Sequence, residues 1–189
     1  MGRHKALSGL GRLLLLAGLI LLIGMPLAPL RAGIGYPAPN WSVKTWINSE
    51  PLDLPRLRGR IVVLEFFQMD CRLCEEFTLP VLKDWYLKFS AEIEARELVF
   101  VSIHSVPELA LYQTEPRLRR FVSARGIRRA VGIDKSSYGH ELPVTMRRYK
   151  VTGLPVMVFI DKRGDIRYRR DGRFSAHEAE KVLRRLLAE

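Results

Sequence analysis

Only two of the 189 residues are cysteine and only four are histidine. A structural zinc site needs about four ligands, and His4, His104, His140 and His177 show no metal-ligand spacing that could complete the two cysteines, so a zinc-built domain is excluded. Acidic residues are missing altogether from the first 35 positions, which hold Arg3, Lys5, Arg12 and Arg31. That absence accounts for part of the net charge of +11; from Tyr36 onward 27 basic residues face 20 acidic ones, interleaved as in RYRRDGRFSAHEAEKVLRR. No groove-reading motif accompanies these charges, so they read as solvated basic faces and nucleic acid is not expected as a partner. With 48% apolar and 27% charged residues, disorder is also excluded.

The N-terminus holds one long apolar stretch, LLLLAGLILLIGMPLAPL from Leu13 to Leu30, without a charge. Its length approaches a bilayer span and exceeds the apolar core of about 7–15 residues usual in a cleaved signal. Residues 1–34 are therefore expected to be a signal anchor or transmembrane segment inserted through residues 13–30. Cations precede the run, so the rest of the chain is placed on the far side of the membrane, in a disulfide-permissive space. A bacterial inner-membrane anchor with the C-terminal domain in the periplasm is the expected location, or secretion if the segment is cleaved.

Residues 35–189 read as one α/β domain. Pro37 and Pro39 suggest a linker leading into it. GRIVVLEFF, Gly59 to Phe67, is a buried central strand with Glu65 set in it. From Cys71 to about Ser90 apolar residues recur at helical steps, with a kink expected at Pro80. ELVFVSIHS is a second strand, RLRRFVSARGI a helix closed by Gly126, and AVGID a short extended segment. A further helix falls within Glu141 to Lys150. LPVMVFID and IRYRR then form a hairpin around KRGD, and Ser175 with Glu178 is a capping box for a last helix, Ala176 to Ala188. The order describes a mixed sheet covered by helices on both faces.

The two cysteines stand together in MDCRLCEEF, as Cys71 and Cys74. A disulfide closing so small a loop removes little unfolded-state entropy, so stability is not a sufficient reason for it. Placed after a buried strand at the first turn of a helix, Cys-x-x-Cys reads as a redox pair. The helix N-terminus favours a thiolate on the first cysteine, and Arg72 adds a nearby cation. Cys71 is thus the expected exposed nucleophile and Cys74 the resolving thiol. No cofactor is expected beyond this redox-active disulfide.

From about Gly35 onward the chain resembles the thioredoxin superfamily, and within it the membrane-anchored thiol–disulfide oxidoreductases of the TlpA/ResA type, which are redoxins. PAPNW leading to LDLPRLRGRIVVLEFF, CRLC at the active-site position, and YKVTGLPVMVFIDKRGDI carry the match, and the stretch from about Ser105 to Glu141 resembles the insertion redoxins add to the minimal fold. The resemblance implies a cis peptide at Leu154–Pro155 against the disulfide, with Leu154 pairing to a bound substrate segment. It also aligns Glu65, six positions before Cys71, with a buried carboxylate able to accept the proton of Cys74; a solvent-facing Glu65 is the competing reading. Implied partners are exported proteins with cysteines and a membrane electron donor or acceptor, in cytochrome c maturation or a related reductive task.

Several positions depart from that pattern. Asp70 replaces the usual aromatic and opposes thiolate formation, no proline lies between the cysteines, and Pro80 falls nine positions after Cys71 rather than eight. Two other functions share the fold. A peroxiredoxin-like peroxidase needs a Pro and a Thr before its cysteine, and LEFFQMD has neither. A copper-binding module of the Sco type would use both thiolates with His104 or His140, but spaces its cysteines by three residues.

Overall fold

The structure, a computed structural model, describes residues 33–107 and 112–189. The apolar run at residues 13–30 lies outside the described residues, and no described helix is long and apolar enough to cross a membrane. Six strands form one mixed sheet: β1 (Val43–Ile47), β2 (Ile61–Phe67), β3 (Leu98–His104), β4 (Ala130–Asp134), β5 (Val156–Ile160) and β6 (Ile166–Asp171), in the spatial order β1-β4-β3-β2-β5-β6. β2, β3 and β4 run parallel, while β1, β5 and β6 join antiparallel.

β2 lies between β3 and β5 and buries all seven of its residues, because both faces of the sheet are covered at its centre. Its side chains alternate between two cores. Val62, Leu64 and Phe66 pack with Met146 and Tyr149, in and just after α4 (Val144–Arg148). Ile61 and Val63 pack with Leu82 and Trp85 of α1 (Leu79–Lys88) and with Leu183 and Leu186 of α5 (Ala176–Ala188). A short α2 (Ser90–Glu94) follows α1 after a break at Phe89, and α3 (Glu115–Ala124) sends Leu118 and Val122 to a third cluster that includes Phe67, Val131 and both cysteines. Ser175 caps α5 through its hydroxyl, which accepts from the Glu178 amide at 3.3 Å; this is one half of the expected capping box, while the Glu178 carboxylate accepts from Lys181 at 2.9 Å instead.

Two local expectations are corrected. Residues 36–40 are no loose linker. Ala38 is buried and the Ala38 amide donates to the Gly164 carbonyl at 2.9 Å. Trp41 is buried too, donating its indole N–H to the Leu52 carbonyl at 2.8 Å and meeting Trp46 edge-on at 6.0 Å. That anchorage lets Val43–Ile47 pair with β4 as an edge strand, so AVGID becomes an internal strand rather than an isolated extended piece. The second correction concerns Pro80. The helix entering α1 passes through a π turn at Cys74–Thr78 before regular α geometry begins at Leu79. A π turn holds one extra residue per turn, which absorbs the ninth position between Cys71 and Pro80. Pro80 itself follows directly on that turn, so its missing N–H falls where the regular i→i−4 ladder is already interrupted by the wider turn.

Candidate active site

The loop Gln68–Asp70 leaves the C-terminal end of β2, and the Cys71 amide closes it by donating to the Gln68 carbonyl at 3.3 Å. Cys71 and Cys74 are joined in a disulfide with Cα atoms 5.1 Å apart. Cys71 stands where the N-cap of the helix belongs: its Sγ accepts the Cys74 amide at 3.1 Å and its carbonyl accepts the Glu75 amide at 3.0 Å. The otherwise unpartnered N–H at a helix start thereby points at the sulfur, and the positive end of the helix favours negative charge there. This is how the local sequence supports a thiolate at Cys71.

The cysteine expected to be exposed is only 9% exposed, and Cys74 is 0% exposed. The reason is the apolar cluster around the pair, in which Met69, Leu79 and Leu118 pack and Leu154 contributes a partly buried side chain. Cys71 remains the member of the pair with any surface. Arg72 does not supply the cation expected beside it, since its side chain is 88% exposed and bonds Glu76 at 2.7 Å one turn along. Asp70 is exposed, so solvent and salt screen its charge. The Leu154–Pro155 peptide is cis, and β5, which follows it, runs beside β2.

Glu65 is fully buried, which removes the solvent-facing reading. In register it lies opposite Ser102 of β3 and Met157 of β5. Its Oε1 accepts from the Thr78 hydroxyl at 2.5 Å. Its Oε2 accepts from the Ser102 hydroxyl at 2.7 Å and from Nη2 of Arg129 at 3.0 Å, while Nε of Arg129 donates to the Ser102 oxygen at 2.6 Å. Thr78 belongs to the turn that begins with Cys74 and lies 3.4 Å from the Cys74 carbonyl. The carboxylate is therefore tied to the helix carrying the resolving cysteine through one hydroxyl. Arg129, Ser102 and Thr78 escaped the sequence reading. The one available signal was Arg129 opening the apolar run AVGI, an awkward place for a charge without a buried partner.

His104 ends β3 and is buried; its Nε2 lies 2.9 Å from Oε1 of Gln113, which also accepts the Met69 amide at 3.3 Å. Burial pushes its pKa down to about 4, against smaller upward effects of the Gln113 hydrogen bond and the Asp70 charge. The imidazole is thus neutral and engaged, and it braces the loop before Cys71. Among the described residues no group of three or more His, Cys, Asp and Glu side chains is placed to hold a metal ion.

A sheet of this order with a Cys-x-x-Cys disulfide at the start of the helix after its central strand places the chain among the thioredoxin-like proteins that carry a dithiol site. The chain belongs to the AhpC/TSA family, whose pattern matches residues 34–169. It is similar to the thiol–disulfide oxidoreductase ResA of Bacillus thuringiensis, with 27% identity over 153 residues that cover 81% of this chain and 78% of ResA. It also matches the protein DipZ of Mycobacterium bovis at 24% identity over 145 residues, 75% of this chain but only 19% of the length of DipZ. Among solved structures a thiol–disulfide isomerase from Corynebacterium glutamicum superposes with a TM-score of 0.71 at 31% identity, covering 80% of this chain and 97% of that one.

Proposed function

We propose that the chain is an exported, membrane-anchored oxidoreductase that exchanges disulfides with exported proteins in the bacterial periplasm, in cytochrome c maturation or a related reductive task. The observation that carries this reading is the asymmetry of the pair. Cys71 alone has surface, and its sulfur alone receives a helix N–H. In the reductive direction the Cys71 thiolate attacks one sulfur of a substrate disulfide, forming a mixed disulfide and releasing the other substrate sulfur as a thiolate. Cys74 then gives up its proton, with Glu65 as acceptor through the Thr78 side of the site, and its sulfur attacks Cys71. The Cys71–Cys74 disulfide forms, and the substrate leaves with both electrons and takes up protons.

The substrate segment lies along the main chain at Leu154, beside the disulfide, and pairs with it in the manner of an added strand. A membrane protein then returns two electrons to the pair, and the apolar run at residues 13–30 keeps the domain beside that donor. The test is the reduction potential of the Cys71–Cys74 couple, by equilibration with defined thiol–disulfide buffers and counting of free thiols. A value of about −250 mV or lower supports a reductant fed by a membrane donor, and one near about −120 mV makes the protein a disulfide-forming oxidant. Failure to equilibrate with thiol buffers at all ends the oxidoreductase reading.

A further inference from the structure

The guanidinium of Arg129 is a buried charge that the exchange chemistry above does not use. It is 3% exposed, and it reaches Glu65 from just before β4, two strands away from β2 in the sheet. Stability alone does not explain it, because a buried ion pair is commonly no better than an apolar pair of the same volume. Its hydrogen bonds are directed: Nε gives a proton to Ser102, Ser102 gives its own to Oε2 of Glu65, and Nη2 gives a second to the same oxygen. Glu65 is in turn one hydroxyl from the helix turn of Cys74. Two arginines of neighbouring segments are engaged at the surface, Arg72 with Glu76 and Arg125 with Glu75. Arg129 also forms part of the wall of a groove of about 500 Å³ between α1 and the turn after α3, lined by Leu79, Lys83, Leu87 and Ile127 as well.

We propose that Arg129 is a positioning residue for thiol–disulfide exchange: it is the counter-charge that fixes the Glu65 carboxylate beneath Cys74 and cancels its field at the dithiol. A carboxylate alone at that place opposes every thiolate formed above it, and a guanidinium alone favours it. The pair presents no net charge, so the thiolate at Cys71 is governed by the helix N-terminus. This inference rests on the oxidoreductase reading of the site.

The test is the rate at which iodoacetamide alkylates the reduced, full-length protein in detergent, which follows the thiolate fraction of the accessible cysteine. At pH 7, E65Q leaves an unbalanced cation and raises the rate about tenfold. E65Q/R129M removes both charges and returns to within about twofold of the parent, and R129K stays near the parent. Equal rates for E65Q and the parent, or an E65Q/R129M rate as high as that of E65Q, overturn the proposal. Should E65Q fail to fold by circular dichroism, R129M is compared with E65Q/R129M at pH 9. There the lone carboxylate slows alkylation about threefold, the drop in thiolate fraction for a one-unit rise in thiol pKa at that pH, and equal rates overturn the proposal. Failure of the oxidoreductase reading would show separately, as a parent protein that does not equilibrate with thiol buffers.

Discussion

The hydroxyl of Thr78 donates to the Glu65 carboxylate at 2.5 Å, joining the helix that carries Cys74 to the central strand of the sheet. The bond is buried at both ends, and a hydrogen bond to a charged group contributes about 1.5–3 kcal/mol. T78V keeps the shape and removes the donor. It is expected to lower unfolding free energy by about 2 kcal/mol in urea titrations. It should also slow the second, resolving step of exchange more than the first, which a stopped-flow comparison of the two phases measures.

The two cysteines should separate cleanly by mutation. Cys74 is wholly buried and Cys71 keeps the accessible edge, so C74S retains the first attack and accumulates a mixed disulfide with a peptide disulfide. C71S leaves a thiol that the peptide cannot reach and slows exchange by about two orders of magnitude or more. Mass spectrometry of the quenched reaction distinguishes the adduct from its absence, and a C74S protein that forms none contradicts the assigned roles.

Much of the architecture was legible because single segments carried it. IVVLEFF is apolar on both faces and had to be central, and Ser175 with Glu178 announced the last helix to the residue. The Cys-x-x-Cys site was legible because few chemistries need two thiols three positions apart. What remained hidden depended on partners distant in sequence. β1 is held by β4, some ninety residues away, and its sequence VKTWI has no isolated signal of burial. The charge beneath the site escaped for the same reason: Glu65 and Arg129 are 64 positions apart and meet only once β4 is laid beside β3. The exposure expected for Cys71 failed because the apolar residues that cover it, Leu118 among them, arrive from another helix.

Gly132 offers a test of the β1 edge. A Cβ there would lie 2.8 Å from Cγ2 of Val43 and 3.2 Å from the Trp46 ring, so G132A forces β1 outward or strains those side chains. Overpacking of this kind costs about 1–3 kcal/mol. Because β1 pairs with β4 alone, the loss should concentrate there. Amide exchange at Val43–Ile47 is expected to accelerate while that of β2 and β3 changes little, and uniform acceleration across the sheet would contradict the local account.

His104 makes stability depend on pH in a definite direction. Its pKa is about 4 in the folded protein because burial disfavours the imidazolium, against about 6.5 in an unfolded chain. The unfolded state therefore binds the proton first as pH falls. The stabilisation is fully present above about pH 6.5 and is lost progressively down to about pH 4, amounting to about 2 kcal/mol between pH 7 and pH 5. The carboxylates with lowered pKa, Asp161, Glu178 and Glu180, lose their contributions as pH falls from the ordinary carboxylate range downward, and Asp134, raised by burial, acts with the opposite sign. Urea unfolding at pH 7 and pH 5 should show the loss in the parent and a flatter profile in H104Q, whose amide can still reach Gln113. A parent as stable at pH 5 as at pH 7 would mean that His104 is solvated and free to take up a proton, and that the loop before Cys71 is not braced by a neutral imidazole.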